Sequence, residues 1–138
     1  MIIKIDFNSD EALYIQLRNQ IIVGIATDAI REGDALPSVR SLADTIGINM
    51  HTVNKAYSVL RQEGFVKLDR RRGAVIAVDF DKMRAIEELM SGMQVLLAKA
   101  ACKNISRTEI HDLVDSVMDQ FECTCGENGF EGPEGDIK

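Results

Sequence analysis

The sequence predicts a mainly α protein with one small β-hairpin. Apolar residues recur at helical spacing in five segments, and a short valine-rich run with three adjacent arginines separates the third segment from the fourth. The chain has 138 residues, 46% of them hydrophobic and 28% charged, which fits one domain or a small domain with an appendage. No apolar run could span a bilayer and the N-terminus lacks the features of a signal peptide, so we expect a cytoplasmic protein with no membrane partner.

The first predicted elements are a weak strand and a long helix. Residues 2–6 alternate apolar and charged side chains, and Asn8 followed three residues later by Glu11 is typical of a helix start. The helix is predicted from Ala12 to Arg31, with Gly33 as its stop. Its inward row recurs every fourth residue and consists of Leu13, Leu17, Ile21, Ile25 and Ala29.

Two shorter helices are predicted around a glycine turn. Pro37 cannot continue a helix and Ser38 can cap the next one, whose periodic residues are Val39, Leu42, Ala43 and Ile46. Gly47 breaks that helix, and Asn49 caps a third helix that ends at Gly64. The inward set of the third helix is Val53, Ala56, Tyr57 and Leu60.

A hairpin and two further helices complete the pattern. Two apolar runs predict strands joined by a loop with Arg72 and Gly73 at its tip; the runs contain Phe65, Val66 and Leu68, then Ala74, Val75, Ile76 and Val78. Ser106 and Glu109 form a capping box for the last helix. The apolar faces of the two C-terminal helices are predicted to mediate dimerisation and comprise Met83, Ile86, Leu89, Met90, Met93, Leu96, Leu97, Ile110, Leu113, Val114, Val117, Met118 and Phe121, with Ala100 continuing the first face.

This order of elements is that of an N-terminal winged helix-turn-helix followed by a C-terminal helical hairpin. We expect residues 1–78 to form the winged unit, residues 79–121 a helical dimerisation domain, and the acidic, glycine-rich residues 122–138 a disordered tail. A hairpin of two helices cannot bury both broad apolar stripes alone. One stripe must therefore cover the first domain or a second copy of the chain.

The charge of the chain is distributed unevenly. The formal net charge is −6, but residues 79–138 carry −7 and residues 1–78 carry +1. Within the first part, residues 36–76 carry +4. Such a basic window is either a solvated face or the local field that a polyanion meets.

The third helix has a polar end that can read DNA. In a helix-turn-helix the second helix of the motif lies in the major groove. The inward set leaves six residues to face the bases, namely Asn49, Met50, His51, Thr52, Asn54 and Lys55. Asn pairs with adenine, Thr meets a thymine methyl, and Lys reaches guanine or a phosphate. The structural alternatives are that Asn49 only caps the helix and that Thr52 only closes its first turn.

Several short motifs occur together between residues 12 and 78. They are Gly33-Asp34, Leu36-Pro37-Ser38 with Arg40, Leu42-Ala43 with Gly47, Thr52-Val53 with Lys55-Ala56-Tyr57, Leu60 with Glu63-Gly64, and Arg72-Gly73. On these motifs the stretch resembles the DNA-binding domain of GntR-type bacterial transcription regulators. The short C-terminal part of two helices is similar to the YtrA-type subfamily.

The resemblance implies a regulator of transcription with double-stranded DNA as its partner. We expect a homodimeric repressor that binds an inverted-repeat operator, and the resemblance implies its own operon and a neighbouring ABC transporter operon as targets. It implies DNA contacts from Ser38 and Arg40, although Arg40 could instead pair with Asp44. It also implies contacts from the wing, whose arginines could otherwise serve solubility alone; the wing residues are Arg70, Arg71, Arg72 and Gly73. Met50 and Asn54 stand where the family often has Arg, which indicates a different base preference.

Other classes of function have weaker support. The sequence has no phosphate-binding loop, dinucleotide fingerprint, Ser-His-Asp set or carboxylate cluster, so we expect neither an enzyme nor a cofactor. Cys102, Cys123 and Cys125 with His51 or His111 could form a metal or redox sensor, but a single C-x-C pair lacks the second pair of a zinc site, so we expect no metal. The rival hypotheses are therefore a thiol- or metal-responsive regulator and a winged-helix protein-interaction module without DNA binding. No motif identifies a small-molecule effector.

Overall fold

A computed structural model describes residues 3–122 and confirms the mainly α fold with one β-hairpin. The chain divides into two compact units, Met1–Asp79 and Phe80–Lys138. The predicted tail lies outside the described residues except for Glu122, which ends the last helix. In chain order the elements are α1 (Leu13–Ala26), α2 (Val39–Ile46), α3 (Met50–Gln62), β1 (Val66–Asp69), β2 (Gly73–Ile76), α4 (Lys82–Cys102) and α5 (Arg107–Glu122).

The described part of the N-terminal segment is not a strand, so that prediction is wrong. Its backbone forms hydrogen bonds with two glutamine side chains of α1. Lys4 N–H donates to Gln20 Oε1 at 2.8 Å, and Asp6 N–H donates to Gln16 Oε1 at 2.9 Å. The amide nitrogens of the same glutamines donate back to the carbonyls of Lys4 and Asp6. Side-chain amides thus take the place of a neighbouring strand.

The predicted start of α1 at Asn8 and Glu11 is also wrong. The helix begins at Leu13, after Ala12, which makes no side-chain capping bond. Asn8 belongs instead to a turn in which its N–H donates to Asp6 Oδ1 at 2.9 Å. Within the helix the predicted inward row is sound at its centre, where Leu17 and Ile21 are fully buried.

The helix ends at Ala26 and does not reach Arg31 as predicted. Asp28 adopts a φ of 59°, which an Asp tolerates better than most residues, and the chain leaves the helical path there. The predicted inward residue Ala29 is consequently exposed, and Ile30 is buried in its place.

The predicted helix-turn-helix is present with its expected caps. Ser41 N–H donates to Ser38 Oγ at 3.1 Å at the start of α2, and Gly47 ends that helix with a φ of 73°. α3 packs against α1 and α2. All four predicted inward residues of α3 are buried in the core, which consists of Leu17, Ile21, Ile30, Leu36, Leu42, Ala43, Val53, Ala56, Tyr57, Leu60, Val66 and Ile76.

The two predicted strands form an antiparallel hairpin in which Val66 lies opposite Ile76 and Asp69 lies opposite Gly73. The loop before α2 pairs with the edge of β2 that faces away from β1 and so adds a third edge segment to the hairpin. Gly33 N–H donates to the Ile76 carbonyl at 2.8 Å, Ile76 N–H donates to the Asp34 carbonyl at 2.9 Å, and Leu36 N–H donates to the Ala74 carbonyl at 2.8 Å. Because an isolated two-stranded hairpin is only marginally stable, this edge supports the wing.

The second unit contains α4 and α5, and neither helix has a buried residue. The capping box is confirmed, since Ser106 N–H donates to Glu109 Oε2 at 2.7 Å and Glu109 N–H donates to Ser106 Oγ at 3.2 Å. The apolar faces predicted from periodicity lie at the surface, except that Met93, Ala100, Ile110 and Phe121 are half-buried. Among the helices of residues 3–122, none has the length and hydropathy to cross a membrane.

Candidate nucleic-acid interface

The N-terminal end of α3 presents a compact group of polar side chains. His51 N–H donates to Asn49 Oδ1 at 2.8 Å, so Asn49 caps the helix as predicted. Burial of the apolar face of α3 against α1 and α2 directs the other face outward. Five of the six predicted reading residues are exposed and Thr52 is half-buried; the exposed five are Asn49, Met50, His51, Asn54 and Lys55.

The start of α2 lies beside this group. A shallow cavity lined by Val39 of α2 and by Asn49, Met50, His51 and Asn54 joins the two helices at the surface. Arg40 is exposed at the second position of α2. The described residues contain no ion pair between Arg40 and Asp44, so its guanidinium remains available to an external anion.

Lys55 is held differently from its neighbours. Its Nζ lies 4.1 Å from the centroid of the Tyr14 ring, over the second residue of α1. This distance is typical of a cation–π contact. The sequence pattern predicted that Lys55 faces outward but did not indicate that its ammonium contacts an aromatic ring of α1.

The wing turn is organised by one carboxylate. The N–H groups of Arg71 and Arg72 donate to Asp69 Oδ1 at 2.8 and 3.0 Å. These two backbone hydrogen bonds lower the pKa of Asp69 below its usual value, and the bond from Arg71 has the larger effect. The positive charge of Arg72 lowers this pKa further. Arg70 and Arg71 are exposed. The Arg72 guanidinium donates to the Gly33 carbonyl at 2.6 Å and so ties the wing tip to the loop before α2.

A groove of about 440 Å³ separates α3 from the wing. We call it the α3–wing groove, and it is lined by Pro37, Ser38, Val39, Asn54, Tyr57, Ser58, Arg61, Val66, Leu68, Gly73 and Ala74. The groove brings predicted residues of α2, α3 and the wing to one surface. It also includes Ser58 and Arg61, which sequence reasoning missed, although the spacing from Asn54 through Ser58 to Arg61 is that of one helical face.

Tyr57 fixes the floor of this groove. Its hydroxyl donates to the Pro37 carbonyl at 2.8 Å, which links α3 to the residue before the α2 cap. Burial raises the pKa of Tyr57, so the hydroxyl keeps its proton and the bond holds at any ordinary pH. The bond sets the position of Ser38 and Arg40 relative to α3.

The cysteines and histidines do not assemble into a metal site in the part of the chain that the structure describes. Cys102 is an exposed free thiol at the end of α4, and Cys123 and Cys125 lie outside the described residues. His51 is on α3 and His111 is exposed on α5.

Comparisons with known proteins assign the family. A sequence model described as bacterial regulatory proteins, gntR family, matches residues 10–76. The HTH-type transcriptional repressor YtrA of Bacillus subtilis is 31% identical over 121 residues, which cover 83% of this chain and 91% of that protein. The uncharacterized HTH-type transcriptional regulator YhcF of the same species is 32% identical over 83 residues, and that match spans 60% of this chain and 66% of YhcF, less than two thirds of its length.

Two solved structures share the architecture. A YtrA from Sulfolobus acidocaldarius, described as a GntR-family transcription factor, has 38% sequence identity and a TM-score of 0.53, covering 86% of this chain and 97% of that chain. A protein from Listeria monocytogenes EGD-e described as a transcriptional antiterminator has 24% identity and a TM-score of 0.80 over 88% of this chain and 92% of that chain, which supports the fold alone. The chain therefore belongs to the gntR family of bacterial regulatory proteins, a family of regulators and not of enzymes, and it is a YtrA-like member.

Proposed function

We propose that the protein is a homodimeric, cytoplasmic transcription repressor that binds an inverted-repeat DNA operator. The observation that carries the proposal is the exposed polar end of α3, which lines one cavity with the start of α2 and, through Asn54, lines the α3–wing groove. This is the arrangement in which a winged helix-turn-helix meets DNA, with one helix in the major groove and the wing on an adjacent groove or phosphate.

Base reading falls to the first turns of α3. The Asn49 cap occupies one lone pair of Oδ1, and its amide nitrogen is left to donate to a base acceptor. Asn54 is exposed without a side-chain hydrogen bond among the described residues and can make a bidentate pair with adenine. Thr52 and Met50 offer methyl groups to thymine, and His51 can donate or accept in the groove. Each good pair contributes about 1–3 kcal/mol of discrimination between bases.

Positioning on the duplex falls to the arginines. Arg40, Arg70 and Arg71 lie at the surface with their guanidinium groups directed to no carboxylate of the described residues, so we assign them to phosphates. Arg72 already donates to the Gly33 carbonyl, but a guanidinium has five N–H donors and those that remain can contact DNA beside Gly73.

Dimerisation falls to α4 and α5. Apart from the half-buried Met93, Ile110 and Phe121, the large apolar side chains on their predicted faces are between 39% (Leu97) and 74% (Met83) exposed. A monomer rarely leaves so extended an apolar surface in water. A second copy of the chain would bury both faces in a two-fold interface, and that symmetry requires an operator with inverted half-sites. Residues 1–78 would then bind DNA and residues 79–121 would join the protomers.

The regulatory direction rests on the YtrA likeness, and the targets rest on the subfamily resemblance of the sequence. YtrA of Bacillus subtilis is named a transcriptional repressor and matches most of this chain. We therefore assign repression, and we include the protein's own operon and a neighbouring ABC transporter operon among its targets.

The proposal is tested by selecting bound duplexes from a random DNA library with the purified protein at about 150 mM salt. We expect an enriched inverted repeat whose half-site spacing reports the separation of the two winged units. Arg40→Ala should bind the selected duplex more weakly and with a shallower salt dependence, whereas Arg31→Ala, on the exposed loop after α1, serves as the matched control. An absence of enrichment and of retention on duplex DNA at low salt would overturn the proposal in favour of a protein-interaction module.

A further inference from the structure

The contact between Lys55 and Tyr14 joins the outward face of α3 to the first turn of α1. Lys55 is exposed, and its Nζ lies 4.1 Å from the centroid of the Tyr14 ring. Tyr14 itself is half-buried and packs against the hydrophobic core. The ring is therefore a fixed platform, and the flexible lysine is the partner that gains a defined position from the contact.

The positive charge of Lys55 is not neutralised by a carboxylate in the described part of the chain. No carboxylate of residues 3–122 forms an ion pair with it, and the first turn of α1 contains no acidic residue. A ring face attracts an ammonium without occupying the N–H donors that point away from the ring. The ammonium thus keeps hydrogen-bond donors and a full positive charge for an anion arriving from solvent.

The direction of the side chain separates Lys55 from the base-reading residues. Asn49, Met50 and His51 lie at the N-terminal end of α3 and line a cavity with α2, whereas the Lys55 ammonium lies over the Tyr14 ring of α1. The recognition helix lies in the major groove and phosphate contacts position it there, so a lysine turned from that helix toward a neighbouring helix is placed for a phosphate. A lysine held in advance for that strand loses less conformational entropy on binding than a free one.

We propose that Lys55 contacts a DNA phosphate and not a base edge, and that Tyr14 is the positioning residue that holds it there. This inference rests on the proposed DNA-binding function and names a contact within it. Tyr14 acts through its ring face, so its hydroxyl is dispensable for positioning.

The test measures binding of the full-length protein to a mixed-sequence duplex of about 40 base pairs by fluorescence anisotropy over a range of KCl concentrations. Lys55→Met should weaken binding and reduce the slope of log K against log salt by about 0.9, the value for one lost phosphate contact. Tyr14→Leu should weaken binding about threefold. Tyr14→Phe keeps the ring and should bind with the affinity of the unmodified protein. In the Lys55→Met background, Tyr14→Leu should cause no further loss.

The controls separate positioning from folding. Lys99→Met removes an equal charge from the exposed surface of α4 and should leave the slope unchanged. Melting temperatures identify any loss of core packing in Tyr14→Leu, while Lys55→Met alters only an exposed side chain. The inference is overturned if Lys55→Met leaves the slope unchanged, or if Tyr14→Leu weakens binding equally with and without Lys55. Failure of the unmodified protein to bind the duplex even at low salt would overturn the proposed function itself.

Discussion

The Asn49 side chain has one observed and one proposed interaction: its Oδ1 accepts from His51 N–H and caps α3, and its amide nitrogen is the group that we propose donates to a base. The cap fixes where the helix starts and therefore where Met50 and His51 point. The proposed base contact uses a different part of the same side chain. Substitutions that keep one interaction and remove the other can separate the two.

We expect Asn49→Ala to lower the free energy of unfolding by about 1 kcal/mol, since the cap to His51 N–H is lost. Asn49→Ser retains a capping oxygen and should keep stability while losing the amide contact. Both variants should discriminate less between the selected duplex and a scrambled one. Urea unfolding and parallel titrations measure the two effects, and full discrimination by Asn49→Ser would show that the residue is a cap only.

Asp69 makes the wing turn depend on pH. Its pKa in the folded chain is lowered by the N–H groups of Arg71 and Arg72, so the turn gains stability when the carboxylate is charged. This contribution is fully present at neutral pH and is lost as pH falls through the lowered pKa of Asp69. We expect the amide proton shifts of Arg71 and Arg72 to titrate together in acid. Asp69→Asn keeps an accepting oxygen and should remove this titration; an unchanged profile in that variant would contradict the assignment.

Most predicted helix caps between near neighbours were correct, with the pair of Asn8 and Glu11 as the exception, whereas contacts between distant residues were not predicted. Ser38, Asn49 and Ser106 cap their helices within three residues, so the sequence alone revealed them. The bond from Arg72 to Gly33 and the contact of Lys55 with Tyr14 each require the tertiary fold. Side chains of arginine and lysine reach in many directions, and periodicity indicates only the face from which they start.

In the winged unit, the ends of α2 and α3 are each followed by a glycine with a positive φ. Gly47 and Gly64 have φ values of 73° and 84°, a region that costs residues with a Cβ about 1–2 kcal/mol. A Cβ at Gly47 would meet no atom within 4 Å, whereas a Cβ at Gly64 would lie 2.9 Å from Asp79 Cβ. The two positions therefore differ in steric cost and share the conformational one.

We expect Gly47→Ala to destabilise the fold by about 1–2 kcal/mol, the conformational cost alone. Gly64→Ala should destabilise it more, because the clash with Asp79 is added. Gly47→Asn is the matched control, since Asn tolerates this backbone conformation and should lose less than Ala. Chemical denaturation gives all three values; equal losses for Gly47→Ala and Gly64→Ala would contradict the steric argument.

The helix α1 was predicted to extend five residues too far, which shows a limit of prediction from local patterns. Nothing after Ala26 forbids a helix until Gly33, yet Ile30 folds back on Gly24, where a Cβ would lie 2.7 Å from Ile30 Cδ1. The glycine inside the helical pattern was the available signal, because only a residue without a side chain admits this close approach. The alternation at residues 2–6 was misleading for a similar reason, since it cannot reveal that glutamines of α1 bond to the backbone at Lys4 and Asp6.

The molecule as a whole carries basic charge on the winged unit and apolar side chains on α4 and α5. Both features were visible in the sequence, because charge and periodicity are sums over many residues. What binds the apolar faces could not be predicted from the sequence, since one chain specifies a surface but not its binding partner. The two alternatives predicted for those faces, the first domain or a second copy, are separated by the following variant.

We expect Leu96→Glu to convert a dimer to a monomer. Leu96 is 65% exposed in the single chain, so a charge there costs the isolated protomer little, but it would be buried in the proposed interface. Affinity for an inverted repeat should fall sharply while binding to one half-site persists. Gln94→Glu adds the same charge to an exposed residue outside the predicted face and should remain dimeric. Light scattering coupled to size exclusion reads the result, and a monomeric unmodified protein would refute the dimer.

The third edge beside β2 has a consequence for motion in the winged unit. The N–H groups of Gly33, Leu36 and Ile76 belong to one continuous ladder, and Leu36 leads within two residues to the cap of α2. Opening the wing therefore breaks bonds of the loop that carries α2. In hydrogen–deuterium exchange these three amides should exchange as one cooperative group, slower than the Arg70–Arg72 turn, so the wing and the start of α2 behave as a single foldon.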